Sequence, residues 1–314
     1  MKYFFRFLLF LSCLTILSSI GLSESIHEPM SIDFSDVLGY ETHYFLYDIS
    51  FYESASQQPG TVVKVKYTTN VYGKTMKRWA NVYLPYGYDE NGAERYPIIY
   101  FFHGGGCDQT TLLGNPMTIN SFDNMIETGV ARPFIFVAPT YYYDVRAKKY
   151  DLDLFVQEML LDLMPAVEGK YRTFAVSADE AGFAASRDYR AVCGFSAGTS
   201  FAWGFMSRIM DVCRYYLPCS GAGIGEQEMN AVIDSARNHP DDFFLYLSCG
   251  GREDVAYAHC LDAAKRLREL TDVFHYGTDS QTDNFFFSLS DNPHLDNCTR
   301  YYLFNAFRDI LFKE

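Results

Sequence analysis

Ser196 lies in RAVCGFSAGTSF (residues 190–201), between Gly194-Phe195 and Ala197-Gly198. An apolar, strand-like run precedes it and a helix-like run follows. A G-x-S-x-G at a strand-to-helix turn can hold the serine hydroxyl at the sheet edge as a nucleophile. The same five residues also recur as plain tight turns, so the motif alone is a hypothesis that the rest of the chain must decide.

A serine hydroxyl is a weak nucleophile until a base takes its proton. Four histidines follow it: His239, His259, His275 and His294. His239 precedes Pro240 in a helix–strand connection, His259 falls in a predicted helix and His275 in a predicted strand. His294 lies in the loop SDNPH before the final helix and is best placed to reach over a sheet edge. The acid that orients such a base should follow a strand between the two. Glu253 and Asp254, just past FFLYLSCGG, both qualify, and Asp254 is favoured; both also suit the start of a helix. A developing oxyanion needs backbone N–H donors. Ala197 supplies one, and Gly105 and Gly106 of the loop His103-Gly104-Gly105-Gly106 supply the other side.

These residues need elements to bring them together. TVVKVKYTT (61–69) and KRWANVYLP (77–85) alternate apolar and polar residues, as half-buried strands do. PIIYFFHGGG (97–106) and RPFIFVAPT (132–140) read as strands buried on both faces. DLFVQEMLLDLMPAVEGKY (153–171) predicts a helix capped by Asp151 or Asp153. RTFAVSADEAGFAAS reads as a loop and DYRAVCGFS as the strand before the serine. RYYLPCSG, FFLYLSCGG and DVFHYG read as three further strands. Helices fall over QEMNAVIDSARN, DVAYAHCLDAAKRLRELT and the closing NCTRYYLFNAFRDILF. Strands alternating with helices imply an α/β domain with a mainly parallel central sheet and an antiparallel start. A G-x-S-x-G between strand and helix of such a sheet is the α/β-hydrolase arrangement, in which the acid and then the histidine follow the serine.

The net charge of −13 argues against nucleic acid and against anionic membranes, since a phosphate backbone needs clustered Lys and Arg. Residues 1–23 read as a secretory signal peptide: Lys2 and Arg6, an apolar run from Phe7 to Leu17, then small residues. That run is shorter than the roughly 20 residues a membrane span needs. Residues 24–60 read as an N-terminal leader and 61–314 as one catalytic-type domain. Seven cysteines remain after the signal, without a C-x-x-C pair, so no metal site is expected. Cys193 and Cys249 read as core residues; Cys213 with Cys219, or Cys260 with Cys298, could form disulfides. Asn297-Cys298-Thr299 is a formal glycosylation sequon.

Taken together, the chain resembles the carbohydrate esterase family of feruloyl and acetylxylan esterases, related to esterase D. The resemblance runs from about residue 61 to the C-terminus. It rests on NVYLPYGYDENGAERYPIIYFFHGGG, FVQEMLLDLMPAVEGKY, AASRDYRAVCGFSAG, GGREDVAYA and the spacing from His294 to Arg300 and Leu303. It implies Ser196 as nucleophile, Asp254 as triad acid and His294 as base. Four positions depart from the family's usual residues. Ala197 stands where methionine is common, Asp296 and Thr299 where tryptophans are common, and Pro293 where glycine precedes the histidine.

The resemblance implies a secreted serine esterase without metal or organic cofactor, acting on esters of plant cell-wall polysaccharide, with feruloyl esters favoured. PTYYYDVRAKKYD (139–151) follows a strand at the expected edge, so Tyr141, Tyr142 and Tyr143 could stack on a sugar or an aromatic acyl group; Trp203 reads as core. An acetylxylan esterase, another serine hydrolase on this fold and a non-catalytic carbohydrate-binding protein are the alternatives.

Overall fold

The computed structural model describes residues 30–32, 43–45 and 50–313, apart from 222, 241, 252, 253, 280 and 291. The expected signal peptide lies outside the described residues. In chain order the elements are β1 (Met30–Ile32), β2 (His43–Phe45), α1 (Ser50–Glu53), β3 (Thr61–Thr69), β4 (Met76–Leu84), β5 (Ile98–Phe102), α2 (Pro116–Glu127) and β6 (Ile135–Ala138). Then come α3 (Leu152–Glu158), a π-helical turn (Met159–Leu163), α4 (Met164–Glu168), α5 (Glu180–Ala185), β7 (Arg190–Phe195), α6 (Thr199–Met206) and β8 (Tyr215–Cys219). The chain closes with α7 (Glu226–Asn238), β9 (Phe244–Cys249), α8 (Tyr257–Arg268), β10 (Phe285–Leu289) and α9 (Thr299–Asp309).

Eight strands form one sheet in the order β10-β9-β8-β7-β5-β6-β4-β3. β3 pairs antiparallel with β4, and β4 with β6; every other pairing in this sheet is parallel. The two-residue side-chain period of a strand sorts the core. On β5, Ile98, Tyr100 and Phe102 face the layer of α3, α6, α7 and α8, whereas Ile99 and Phe101 face that of α2 and α9. β6 and β7 lie on either side of β5, so the strand order turns there, and ligands of open α/β sheets bind at the carboxyl ends beside such a point. The HGGG loop leaves the carboxyl end of β5, and Ser196 that of β7.

Several expectations need correction. DVFHYG is not a strand; the edge strand is FFFSL (285–289), and Tyr276 adds only an isolated bridge to Phe285. The loop assigned to 172–186 contains α5, capped by the Asp179 side chain accepting from Gly182 N–H at 2.9 Å. Within the expected leader, residues 50–53 form α1, whose Phe51 and Tyr52 pack on Phe304 and Tyr301 of α9. The seven described cysteines are free thiols. Cys213 precedes β8 and Cys219 is its last residue, and a rise of about 3.3 Å per residue along the strand puts them well beyond bridging distance. Cys260 and Cys298 pack in the cores on opposite faces of the sheet.

Candidate active site

The nucleophile turn is strained where chemistry would need it. Ser196 has φ +52°, a left-handed conformation that non-glycine residues seldom hold without surrounding constraint. Its neighbours supply that constraint. A Cβ on Gly194 would run into the Gly198 carbonyl, and one on Gly198 into the Phe102 carbonyl, so only glycine fits at either place. Thr199 Oγ1 donates to the Ser196 carbonyl at 2.5 Å.

His294 Nε2 lies 2.9 Å from Ser196 Oγ, and His294 Nδ1 lies 2.8 Å from Asp254 Oδ1. A carboxylate only accepts, so Nδ1 carries the proton and Nε2 offers its lone pair to the serine hydroxyl. The His294 side chain is 23% exposed and that of Asp254 fully buried. Burial alone would raise the Asp254 pKa. Hydrogen bonds from His294, the Ala256 amide and Ser220 outweigh it, and the carboxyl sits below its ordinary value. The Gly250 amide also donates to Asp254 Oδ2 at 3.2 Å.

No residue pattern marks the layer under this carboxylate. Ser220, at the end of β8, is fully buried with φ +47°. Its hydroxyl shares a 3.0 Å hydrogen bond with Tyr302 OH and accepts from Gly250 N–H at 3.4 Å. Only its strained backbone beside a second strand end marks it, and a sequence does not print φ. The other histidines go elsewhere. His239 caps α7 and pairs with Asp211, His259 lies in α8, and His275 lies in the connection before β10. Glu253 falls outside the described residues.

Across the site, Gly104 to Cys107 form a turn closed by Cys107 N–H donating to the Gly104 carbonyl at 3.2 Å. Gly106 takes φ +86° at its third position, where a type II turn requires glycine. A Cβ on Gly105 would stand 3.6 Å from that of Ala197, so the two proposed donor segments face each other. Ala197 is in the first turn of the 3-10 helix Ser196–Gly198, where amides lack intrahelical partners. The glycines divide in an unexpected way. Gly106 N–H is committed to Tyr142 OH at 3.2 Å, whereas Gly105 N–H has no partner among the described residues. Gly105 is therefore the open donor and Gly106 is not.

His103 supports the turn from below. Nδ1 donates to the Gly104 carbonyl at 2.9 Å, and Nε2 accepts from Thr140 Oγ1 at 2.8 Å. Burial lowers its pKa and keeps it neutral, the form that this pair of bonds needs.

The three tyrosines do not share one surface. Tyr141 is stacked between His103 and Phe201, with ring centroids 4.3 and 4.2 Å away, so neither face is free for a ligand. Tyr142 is buried and serves Gly106. Tyr143 is half-buried against Tyr72. Exposed apolar surface near the triad comes instead from Val255, beside Asp254, and Leu295, beside His294. Trp203 is buried, as expected.

Known proteins bear on this geometry. No protein-family model matches the chain. The feruloyl esterase module from Clostridium thermocellum, solved as a serine-to-alanine mutant complexed with sinapinate, is 30% identical. The match has a TM-score of 0.74 and covers 83% of this chain and 92% of that one. A ferulic acid esterase from the anaerobic fungus Anaeromyces mucronatus, at 22% identity and a TM-score of 0.63, covers 83% of this chain and 95% of its own and shares the fold. Endo-1,4-beta-xylanase Y of Acetivibrio thermocellus is 32% identical over 264 residues, 81% of this chain. An endo-1,4-beta-xylanase/feruloyl esterase of Xylanibacter ruminicola is 30% identical over 202 residues, 62% of this chain. The chain spans 23% and 25% of the lengths of these two curated relatives. With a serine, a histidine and an open glycine amide converging at the switch point of its sheet, the chain belongs to the feruloyl esterase family of serine carboxylic-ester hydrolases.

Proposed function

We propose that the protein releases ferulate from esters on plant cell-wall polysaccharide, with Ser196 as nucleophile, His294 as general base and acid, and Asp254 as the group that orients and stabilises the imidazole. The hydrogen-bonded line Asp254–His294–Ser196 carries this reading. His294 Nε2 takes the hydroxyl proton as Ser196 Oγ attacks the ester carbonyl. The carbonyl oxygen becomes an oxyanion received by the N–H groups of Gly105 and Ala197. The sugar hydroxyl leaves with the proton from Nε2, and water, activated by the same nitrogen, frees the acid and restores Ser196. Val255 and Leu295 offer apolar surface for an aromatic acyl group, and the feruloyl esterase module at 30% identity supports that class of acid.

Residues 61–314 form the catalytic domain in this proposal, and residues 1–23 direct export, which suits a polymer substrate outside the cell. Among the described residues no helix is long and apolar enough to cross a membrane. The test is acid release from feruloylated arabinoxylan and from acetylxylan. Ferulate in excess supports the reading; acetate alone would assign an acetylxylan esterase, and neither acid would overturn it.

A further inference from the structure

Asp296 lies two residues after His294, yet its carboxylate does not face the imidazole's partners. Oδ1 accepts from the Gly104 N–H at 3.3 Å, and Oδ2 accepts from the Cys107 thiol. Gly104 and Cys107 are the first and last residues of the turn whose second residue, Gly105, holds the open amide. One carboxylate thus fastens both ends of that turn, and it does so from the loop that carries His294. A Cβ on Gly104 would stand 2.8 Å from Asp296 Oδ1, so the contact also depends on glycine there. Burial and the facing carboxylate push the Cys107 thiol up to about 12, so it remains an S–H donor at neutral pH.

We propose that Asp296 is a positioning residue for the oxyanion hole, locking the Gly104–Cys107 turn to the histidine loop so that the Gly105 amide and the imidazole keep one fixed separation from Ser196. This rests on the proposed function, since it assumes a tetrahedral intermediate at Ser196. The role differs from that of Asp254. Asp254 acts on the base, whereas Asp296 acts on the group that receives negative charge. Its effect should therefore appear where charge has developed and not in substrate binding.

The experiment compares the parent with Asp296→Ala, Asp296→Asn and Cys107→Ala, measuring kcat and KM on 4-nitrophenyl acetate and methyl ferulate. It adds the affinity for phenylboronic acid, which forms a tetrahedral anion on a serine, and for ferulate, which does not. Removing an oxyanion donor costs about 10²–10³ in kcat, so a donor left in place but unfastened should cost about tenfold in Asp296→Ala. KM and ferulate affinity should hold within about twofold while boronate affinity falls in step with kcat. Asp296→Asn, which still accepts from Gly104, should recover part of the loss. Cys107→Ala should lose less than Asp296→Ala, and its effect should largely vanish in the double variant because both act through one contact.

A folded Asp296→Ala with parental kcat on either ester, or with reduced kcat but parental boronate affinity, overturns the proposal. If Asp296→Ala fails to fold, the same comparison is read from Asp296→Asn and Cys107→Ala. 4-Nitrophenyl acetate uses the oxyanion turn whatever the acyl specificity. A parent active on it but not on methyl ferulate therefore defeats the feruloyl reading while still testing Asp296; a parent active on neither ester defeats both.

Discussion

Arg190 opens β7 and Ser196 follows its last residue, so one strand joins two polar centres. At the lower end, the Arg190 guanidinium reaches both Glu168 oxygens at 2.9 and 2.7 Å. It also donates to the Phe183 carbonyl and Ser186 Oγ, each at 2.9 Å, and to the Val212 carbonyl. All five of its N–H donors are used. Glu168 accepts further from Tyr100 OH at 3.0 Å and Thr173 Oγ1 at 3.2 Å. At the upper end, Asp254 is as thoroughly bonded, but the line it begins ends on a partly exposed imidazole and a strained serine, facing a Gly105 amide without a partner among the described residues. A buried charge network that closes on itself fixes a strand in place. One left open at its last members has groups available for a substrate. The RDYRA lead-in belongs to the first kind: Arg187 holds the Met210 carbonyl, and Arg190 anchors the strand that delivers the nucleophile.

Substitutions can separate the two centres. Ser196→Ala should lower ester turnover by about 10⁶-fold while leaving the melting temperature near the parent's, read by steady-state kinetics and thermal unfolding. Asp254→Asn should lower kcat by about 10⁴-fold through loss of the correct imidazole tautomer. Glu168→Gln should do the reverse. Leaving the Arg190 charge buried without its counter-ion should cost about 3–5 kcal/mol of stability in denaturant unfolding, with kcat per folded molecule retained. If Glu168→Gln instead abolished turnover without destabilising the fold, the division between the centres would be wrong.

The smallest effect is in the pH dependence of stability. The Asp254 carboxyl is lowered in the folded state, so its contribution is present above the unfolded carboxyl's value of about 3.9 and lost as pH falls through the lower folded value. Melting temperature measured from pH 6 downward should fall in the parent, and Asp254→Asn should remove part of that slope. An unchanged slope would count against the bonded, ionised Asp254.

Much of this was legible in the sequence because it was local. Alternating residues in 61–69 marked a half-buried strand, and the apolar run ending in HGGG marked a strand buried on both faces. The order serine, acid, histidine then named three residues that the fold brings into hydrogen-bond contact. What stayed hidden depends on packing between distant segments. The edge strand 285–289 is short and apolar without alternation, so its period says nothing. Tyr141 to Tyr143 are adjacent in sequence but face different neighbours, and only the position of Phe201 shows that Tyr141 has no free face. Asp296 and Ser220 act through backbone amides and a buried hydroxyl, partners that no residue pattern announces.

The central claim is that Ser196 carries the acyl group. Acid-quenched intact-mass and peptide analysis of the parent during turnover of methyl ferulate tests it most directly. A transient feruloyl adduct on the peptide containing Ser196, absent in Ser196→Ala, is the predicted result. Undiminished ferulate release by Ser196→Ala, or an adduct on another residue, would contradict it.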